Sequence, residues 1–150
     1  MASTQGHSNV VELLLKNGAD INLKDNYGWS PIIGAAQEGH DRIVEILIRN
    51  GALVNIKNKE GYSPLMSAAS GGRGRIVELL LKNGANVNDQ NDDEETALYL
   101  ASNNGHSNVV ELLLKNGAEW RRTVLDLAAS KGNWKIVDLL NAVRRMRPSE

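Results

Sequence analysis

Gly6-His7-Ser8-Asn9-Val10-Val11-Glu12-Leu13-Leu14-Leu15-Lys16-Asn17-Gly18-Ala19 returns without a change at Gly105 to Ala118. The offset is 99 residues, three times 33. Two imperfect copies begin between them at the same spacing, at Gly39 and Gly72. A fixed 33-residue period marks a solenoid, in which one supersecondary unit stacks on copies of itself. Such a chain is expected to work through a face along the stack, not through one deep active site.

Residues 28–51 give the clearest unit. Ser30-Pro31 predicts a helix start, a hydroxyl N-cap followed by proline at the first helical position. Ile32, Ala35 and Ala36 fall at helical spacing, and Gly39 ends this first helix. A second helix follows, with Ile43, Val44, Ile46 and Leu47 on its apolar side and Arg42, Glu45 and Arg49 outside. Asn50-Gly51 closes it, glycine being suited to the left-handed position after a helix end. Residues 51–61 are polar and turn-forming and predict an extended hairpin. Helix starts recur at Ser63-Pro64, Thr96-Ala97 and Thr123-Val124, and helix ends at Asn17-Gly18, Asn83-Gly84 and Asn116-Gly117. Each helix runs only about eight to ten residues, too short to hold in isolation. Stacking has to bury the apolar faces.

The bulk numbers remove several classes. A net charge of -1 gives no general attraction to nucleic acid or to a membrane surface. The chain has no cysteine, hence no disulfide and no thiolate metal site. No apolar run approaches membrane-spanning length. The start Met-Ala-Ser-Thr-Gln lacks the basic and apolar regions of a signal peptide, so a cytoplasmic or nuclear location is expected.

Chemistry is equally thin. His7, His40 and His106 share one register, which suits a hydrogen bond between helices in every unit. They lie about 10 Å or more apart per repeat along the stack, too far to share a metal. There is no nucleophile elbow and no phosphate-binding loop. Gly71-Gly72-Arg73-Gly74-Arg75 reads as a loosened turn between two helices. No catalytic residue, metal or cofactor is expected, and the chain is not read as an enzyme.

These residues resemble the ankyrin repeat family. Its Thr-Pro-Leu-His-x-Ala motif is similar to Ser30-Pro31-Ile32-Ile33-Gly34-Ala35 and to Ser63-Pro64-Leu65-Met66-Ser67-Ala68. Its Gly-His pair stands at Gly6-His7, Gly39-His40 and Gly105-His106, and its Val-Val-Glu-Leu-Leu-Leu stretch is nearly verbatim. The match runs over roughly residues 2–142. The resemblance implies an all-α, L-shaped stack of helix-turn-helix units with projecting hairpin fingers. It also implies protein binding through the fingertips and the concave first-helix face. On this reading the chain is one domain, 1–150: a partial unit 1–17, full periods 18–50, 51–83 and 84–116, and a shortened terminal unit 117–147.

Several departures stand out. A short helix over residues 2–5 is expected to cover part of the apolar side of helix 8–16, and whatever stays open invites self-association. Gly105 to Gly132 is 27 residues instead of 33, so the last finger is cut, and Trp120 is expected to pack on the final helices. Glu94 occupies the register of Gly28 and Gly61, within an acidic finger of Asp89, Asp92, Asp93, Glu94 and Glu95. If that register needs positive φ, Glu94 costs about 1 kcal/mol of strain. Residues 119–150 carry seven basic against four acidic side chains. Arg144, Arg145 and Arg147 suit a helix end there.

The aromatic residues select the face. Aligned by 33, Trp29, Tyr62 and Glu95 form one column, and Ile33, Met66 and Tyr99 the next. By the resemblance these line the concave face, giving an exposed apolar and aromatic strip of the kind that marks interaction sites. The expected protein-binding residues are Tyr27, Trp29, Ile33, Gln37, Tyr62, Met66, Glu95, Tyr99, Asn103 and Asn104. The expected partner is a folded protein, with no nucleic acid and no membrane. The alternative is a self-associating module joined through its N-terminal end. A natural adaptor fragment and an engineered binder both fit the repeat, and the verbatim copies lean toward the second.

Overall fold

The computed structural model describes the backbone of residues 4–145 and the side chains of residues 8–145. Among the described residues there are nine helices and no strand. They are α1 (Thr4–Lys16), α2 (Pro31–Glu38), α3 (Asp41–Arg49), α4 (Pro64–Ser70), α5 (Gly74–Lys82), α6 (Ala97–Asn103), α7 (Ser107–Lys115), α8 (Arg122–Ser130) and α9 (Trp134–Arg145). The chain is an all-α helical-repeat solenoid.

Local chemistry sets the helix ends. Ser63 Oγ accepts from Met66 N–H at 3.3 Å and Thr96 Oγ1 from Tyr99 N–H at 3.1 Å, each relieving an orphan donor of the first turn. Asn50, Asn83 and Asn116 each donate their side-chain amide to the carbonyl four residues back, at 2.8 Å. The glycine after each has φ between 87° and 91°. Ser30 holds the extended N-cap conformation but makes no side-chain cap bond. The expected start at Thr123 shifts: α8 opens at Arg122, so Thr123 lies inside its first turn. α1 is helical through Gly6-His7, the pair whose counterparts separate helices in later copies. The expected short helix at 2–5 falls partly outside the described residues, and its described part is continuous with α1.

Packing follows the period. α2, α4, α6 and α8 stack in one layer, and α1, α3, α5, α7 and α9 in the other. Ala35, Ala68, Ala101 and Ala128 are all buried, small side chains that let the first helices approach closely. In the second layer Leu47, Leu80, Leu113 and Leu140 share one register and are at most 1% exposed. Each such leucine contributes about 2 kcal/mol by leaving water.

Units are also tied by polar bonds. His106 Nε2 lies 3.0 Å from Ser70 O. At the same register Arg73 donates to Gln37 O at 3.4 Å, so the glycine-rich stretch is an ordinary bridged turn and not a loosened one. His40 Nε2 has no partner among the described residues. Asn22, Asn55 and Asn88 accept from the backbone N–H of Leu53, Asn86 and Glu119 in the following unit, at 3.0, 2.9 and 2.8 Å.

The fingers differ from the expected hairpins. They are tight turns with no strand among the described residues. Each is closed by a backbone bond (Asp25 N–H to Trp29 O, Asn58 N–H to Tyr62 O, Asn91 N–H to Glu95 O, 2.9–3.0 Å) together with a side-chain oxygen. Asp25 Oδ1 accepts from Tyr27 and Trp29 N–H, both at 2.9 Å. Asn58 Oδ1 accepts from Glu60 and Tyr62, and Asn91 Oδ1 from Asp93 and Glu95, at 2.9–3.0 Å. Successive fingers also meet through backbone: Lys59 N–H donates to Tyr27 O at 3.3 Å and Asp92 N–H to Glu60 O at 3.0 Å.

That contact explains Gly28 and Gly61. Their φ values are 80° and 84°, and an added Cβ would lie 2.7 Å from Lys59 N and 2.8 Å from Asp92 N. Glu94 keeps the positive φ, 61°. The finger that would press on it is the one cut short, so its side chain has room at the cost of backbone strain. Gly61→Ala is expected to lower stability by about 2 kcal/mol, and Glu94→Gly to raise it by about 1 kcal/mol. Urea denaturation midpoints at constant slope check both; equal effects of either sign would sink this account.

Candidate functional site

Two clefts open in the angle between the fingers and the first-helix layer. The first holds about 360 Å³ and is lined by Trp29, Gln37, Asn58, Glu60, Tyr62, Ser67, Ser70 and Gly71. The finger turns described above position its walls: the N–H of Trp29 and of Tyr62 is each fixed by the Asx oxygen of its own finger. Both aromatic side chains are half-buried. Ser67 is part of the lining, and its buried Oγ has no hydrogen-bond partner among the described residues. The second cleft, about 720 Å³, is lined by Glu95, Tyr99, Trp120 and Arg121, together with the tip of the third finger and the cut connection.

The expected strip is thus divided. Trp29, Tyr62 and Gln37 come together in the first cleft, and Glu95 and Tyr99 in the second. Tyr27 is 72% exposed at its fingertip and lines neither. Asn103 also lines neither. Asn104 is exposed, but its amide nitrogen donates to Ser70 O at 3.0 Å and Ser70 Oγ at 3.1 Å, bridging α6 to α4. Ile33 and Met66 are corrections. They are 0% and 1% exposed and belong to the interior, in α2 and α4 of the first-helix layer. Their register is apolar for packing, and only Tyr99, longer and next to the cut finger, reaches a cleft.

The expected binding residues omit Ser67, Ser70 and Asn58, although Ser70 shares the column of Gln37 and Asn103 at spacing 33. Asn58 was visible as the middle of an Asp25/Asn58/Asn91 column at spacing 33. Ser67 had no such signal, because Gly34 and Leu100 hold the same register. Trp120 packs against the core, as its place in a short loop suggested, while one side lines the second cleft.

The electrostatics are negative. Burial raises the Tyr62 phenol above its ordinary value, and the Glu95 and Glu60 carboxylates raise it further. The Asn91 side-chain hydrogen bond opposes this, and Asp93 adds a smaller rise. The folded state therefore favours the protonated phenol. Its contribution to stability is present below pH 10.0 and is lost as pH rises through the higher folded value. Among the described residues no group of three or more His, Cys, Asp or Glu side chains is placed to hold a metal ion, and no helix is long and apolar enough to cross a membrane.

A family model described as "Ankyrin repeats (3 copies)" matches residues 1–91 and again residues 76–144. The chain belongs to the ankyrin-repeat family. Ankyrin repeats are generally protein–protein interaction modules and generally non-catalytic. No curated protein matches the chain.

Glu95→Gln is expected to lower the Tyr62 pKa toward its ordinary value, and Glu60→Gln to do so by less. Phenolate absorbance titrations, each referred to the matching Tyr62→Phe chain, read this directly. An unmoved midpoint in Glu95→Gln would show that the carboxylate does not reach the ring.

Proposed function

We propose that this chain recognises a folded protein partner through its finger side, without catalysis. The anchors are Trp29 and Tyr62, with Tyr99 in the adjoining cleft and Gln37 and Glu95 as polar contacts. Tyr27 adds a fingertip contact; Asn103 and Asn104 flank the surface. The observation that carries this reading is the pairing of two half-buried aromatic rings in one cleft, each set by its own finger turn. Trp and Tyr so placed can bury large area on binding at little entropic cost, as binding hot spots do. Ile33 and Met66 support the strip from beneath. The reading is the same for a natural adaptor fragment and for an engineered binder.

Capture from a lysate, followed by titration with the purified captured protein, tests it. Trp29→Ala/Tyr62→Ala/Tyr99→Ala should weaken binding by about 100-fold or more with unchanged helical circular dichroism. Equal affinity of parent and variant would rule the strip out.

A second reading has its own support. Val10, Leu13 and Leu14 on α1 are 52%, 61% and 55% exposed. Their counterparts Ile43, Ile46 and Leu47 are buried. An open apolar helix face of this kind would join two copies. Sedimentation velocity of the parent against a chain carrying a polar capping helix before Gly6 checks it. Dimers lost on capping while partner binding persists would leave self-association without a role in recognition.

A further inference from the structure

We propose that the notch left by the shortened last finger is a docking site for a basic turn of the protein partner, seated where the array would place its next finger. This rests on the reading that the finger side is the binding side. The molecule itself shows how such a position is filled. The N–H of Lys59 meets the carbonyl of Tyr27, and one unit on, the N–H of Asp92 meets the carbonyl of Glu60. The next carbonyl in this register is that of Asp93. It accepts no hydrogen bond among the described residues, because the connection from Gly117 to Arg122 runs past without a finger. A turn of another protein can supply the missing N–H, as an added strand does at a sheet edge.

The register of Glu94 agrees. Where a finger follows, the residue is glycine, and a Cβ would collide with the neighbour's backbone. Here a glutamate stands, exposed, in open space. The space is the cleft of about 720 Å³, with Tyr99, Trp120 and Val124 among its lining.

Charge selects the occupant. Asp93, Glu94, Glu95 and Glu119 line the notch, against the one cation Arg121. Among the described residues none of the four forms an ion pair. Nearby charges are spent elsewhere: Asp89 pairs with Lys57 at 3.1 Å and Arg122 with Asp126 at 3.5 Å. A lysine or arginine on the incoming turn meets carboxylates at the rim and the faces of Tyr99 and Trp120 within, where a cation is attracted to the ring. An acidic turn is repelled.

The probe is a cyclised peptide of lysine, arginine and glycine, with glutamate replacing the cations in the control. Backbone amide shifts of the full chain should move at residues 88–96 and 119–124 and saturate, while the acidic peptide moves nothing. Restoring the period is the decisive variant. A neutral six-residue finger tip, the difference between 33 and 27, is inserted between Glu119 and Trp120. It keeps every carboxylate and should weaken peptide binding by about tenfold or more. Unchanged affinity would overturn the notch and leave only a diffuse acidic surface. Should the insertion fail to fold, Glu94→Gln/Glu95→Gln/Glu119→Gln is compared by the same readout with Glu38→Gln/Glu78→Gln/Glu111→Gln, which removes as many carboxylates outside the notch: loss confined to the first supports the site, and equal effects overturn it. Trp29→Ala/Tyr62→Ala should still bind the peptide. If that chain loses the protein partner while the filled notch does not, this inference falls and the aromatic strip stands.

Discussion

The structure depends on one constraint: no unit of this chain can bury its own apolar surface. The helices run from seven to thirteen residues, lengths at which an isolated helix is marginal in water. Burial comes from the neighbour, in registers repeated every 33 residues. The leucine and alanine columns satisfy that demand unit after unit, and the polar bridges from Asn22, Asn55, Asn88, Arg73 and His106 fix the spacing. Stability is therefore a sum of repeat and interface terms along a line. A change at one interface is felt most by the two units it joins.

The fingers solve a separate problem. Each must reverse direction without a sheet to supply hydrogen bonds. A backbone bond across the turn and a side-chain oxygen of Asp25, Asn58 or Asn91, which accepts two backbone N–H groups, close it together. Because the turn is closed internally, its aromatic residue is left free to face the helices. Trp29 and Tyr62 occupy that position in two fingers. In the third the position is Glu95, whose Oε1 accepts from Asn91 Nδ2 at 2.9 Å and turns the same scaffold from an aromatic wall to an acidic one. One backbone geometry thus presents two kinds of surface.

The cut connection links the remaining anomalies. It removes the neighbour that forces glycine at Gly28 and Gly61, so Glu94 is tolerated. It leaves the flank of the acidic finger open and brings Trp120 to the cleft. A loop deletion, an acidic cluster and a positive-φ glutamate that look unrelated along the chain are one local event in space.

Much of the fold was legible in the residues alone. The period, the helix caps at Ser63 and Thr96, the Asn-Gly helix ends and the positive φ at position 94 all follow from short-range rules acting on a repeated string. What failed did so for tertiary reasons. Extended hairpin fingers were expected from turn-forming composition; the fingers do reverse, but as tight turns with one cross-turn backbone bond and an Asx oxygen and without a strand pair among the described residues. Ile33 and Met66 shared a column with Tyr99 and were read as exposed. Column membership gives the direction of a side chain relative to its helix, not how closely the next helix approaches. That distance depends on the small alanines opposite and on which finger follows, and only the folded stack decides it. The sequence by itself determined that these units repeat and where each begins. The tertiary structure decided which members of a repeated column see solvent, because exposure belongs to the gap between two units and not to either one.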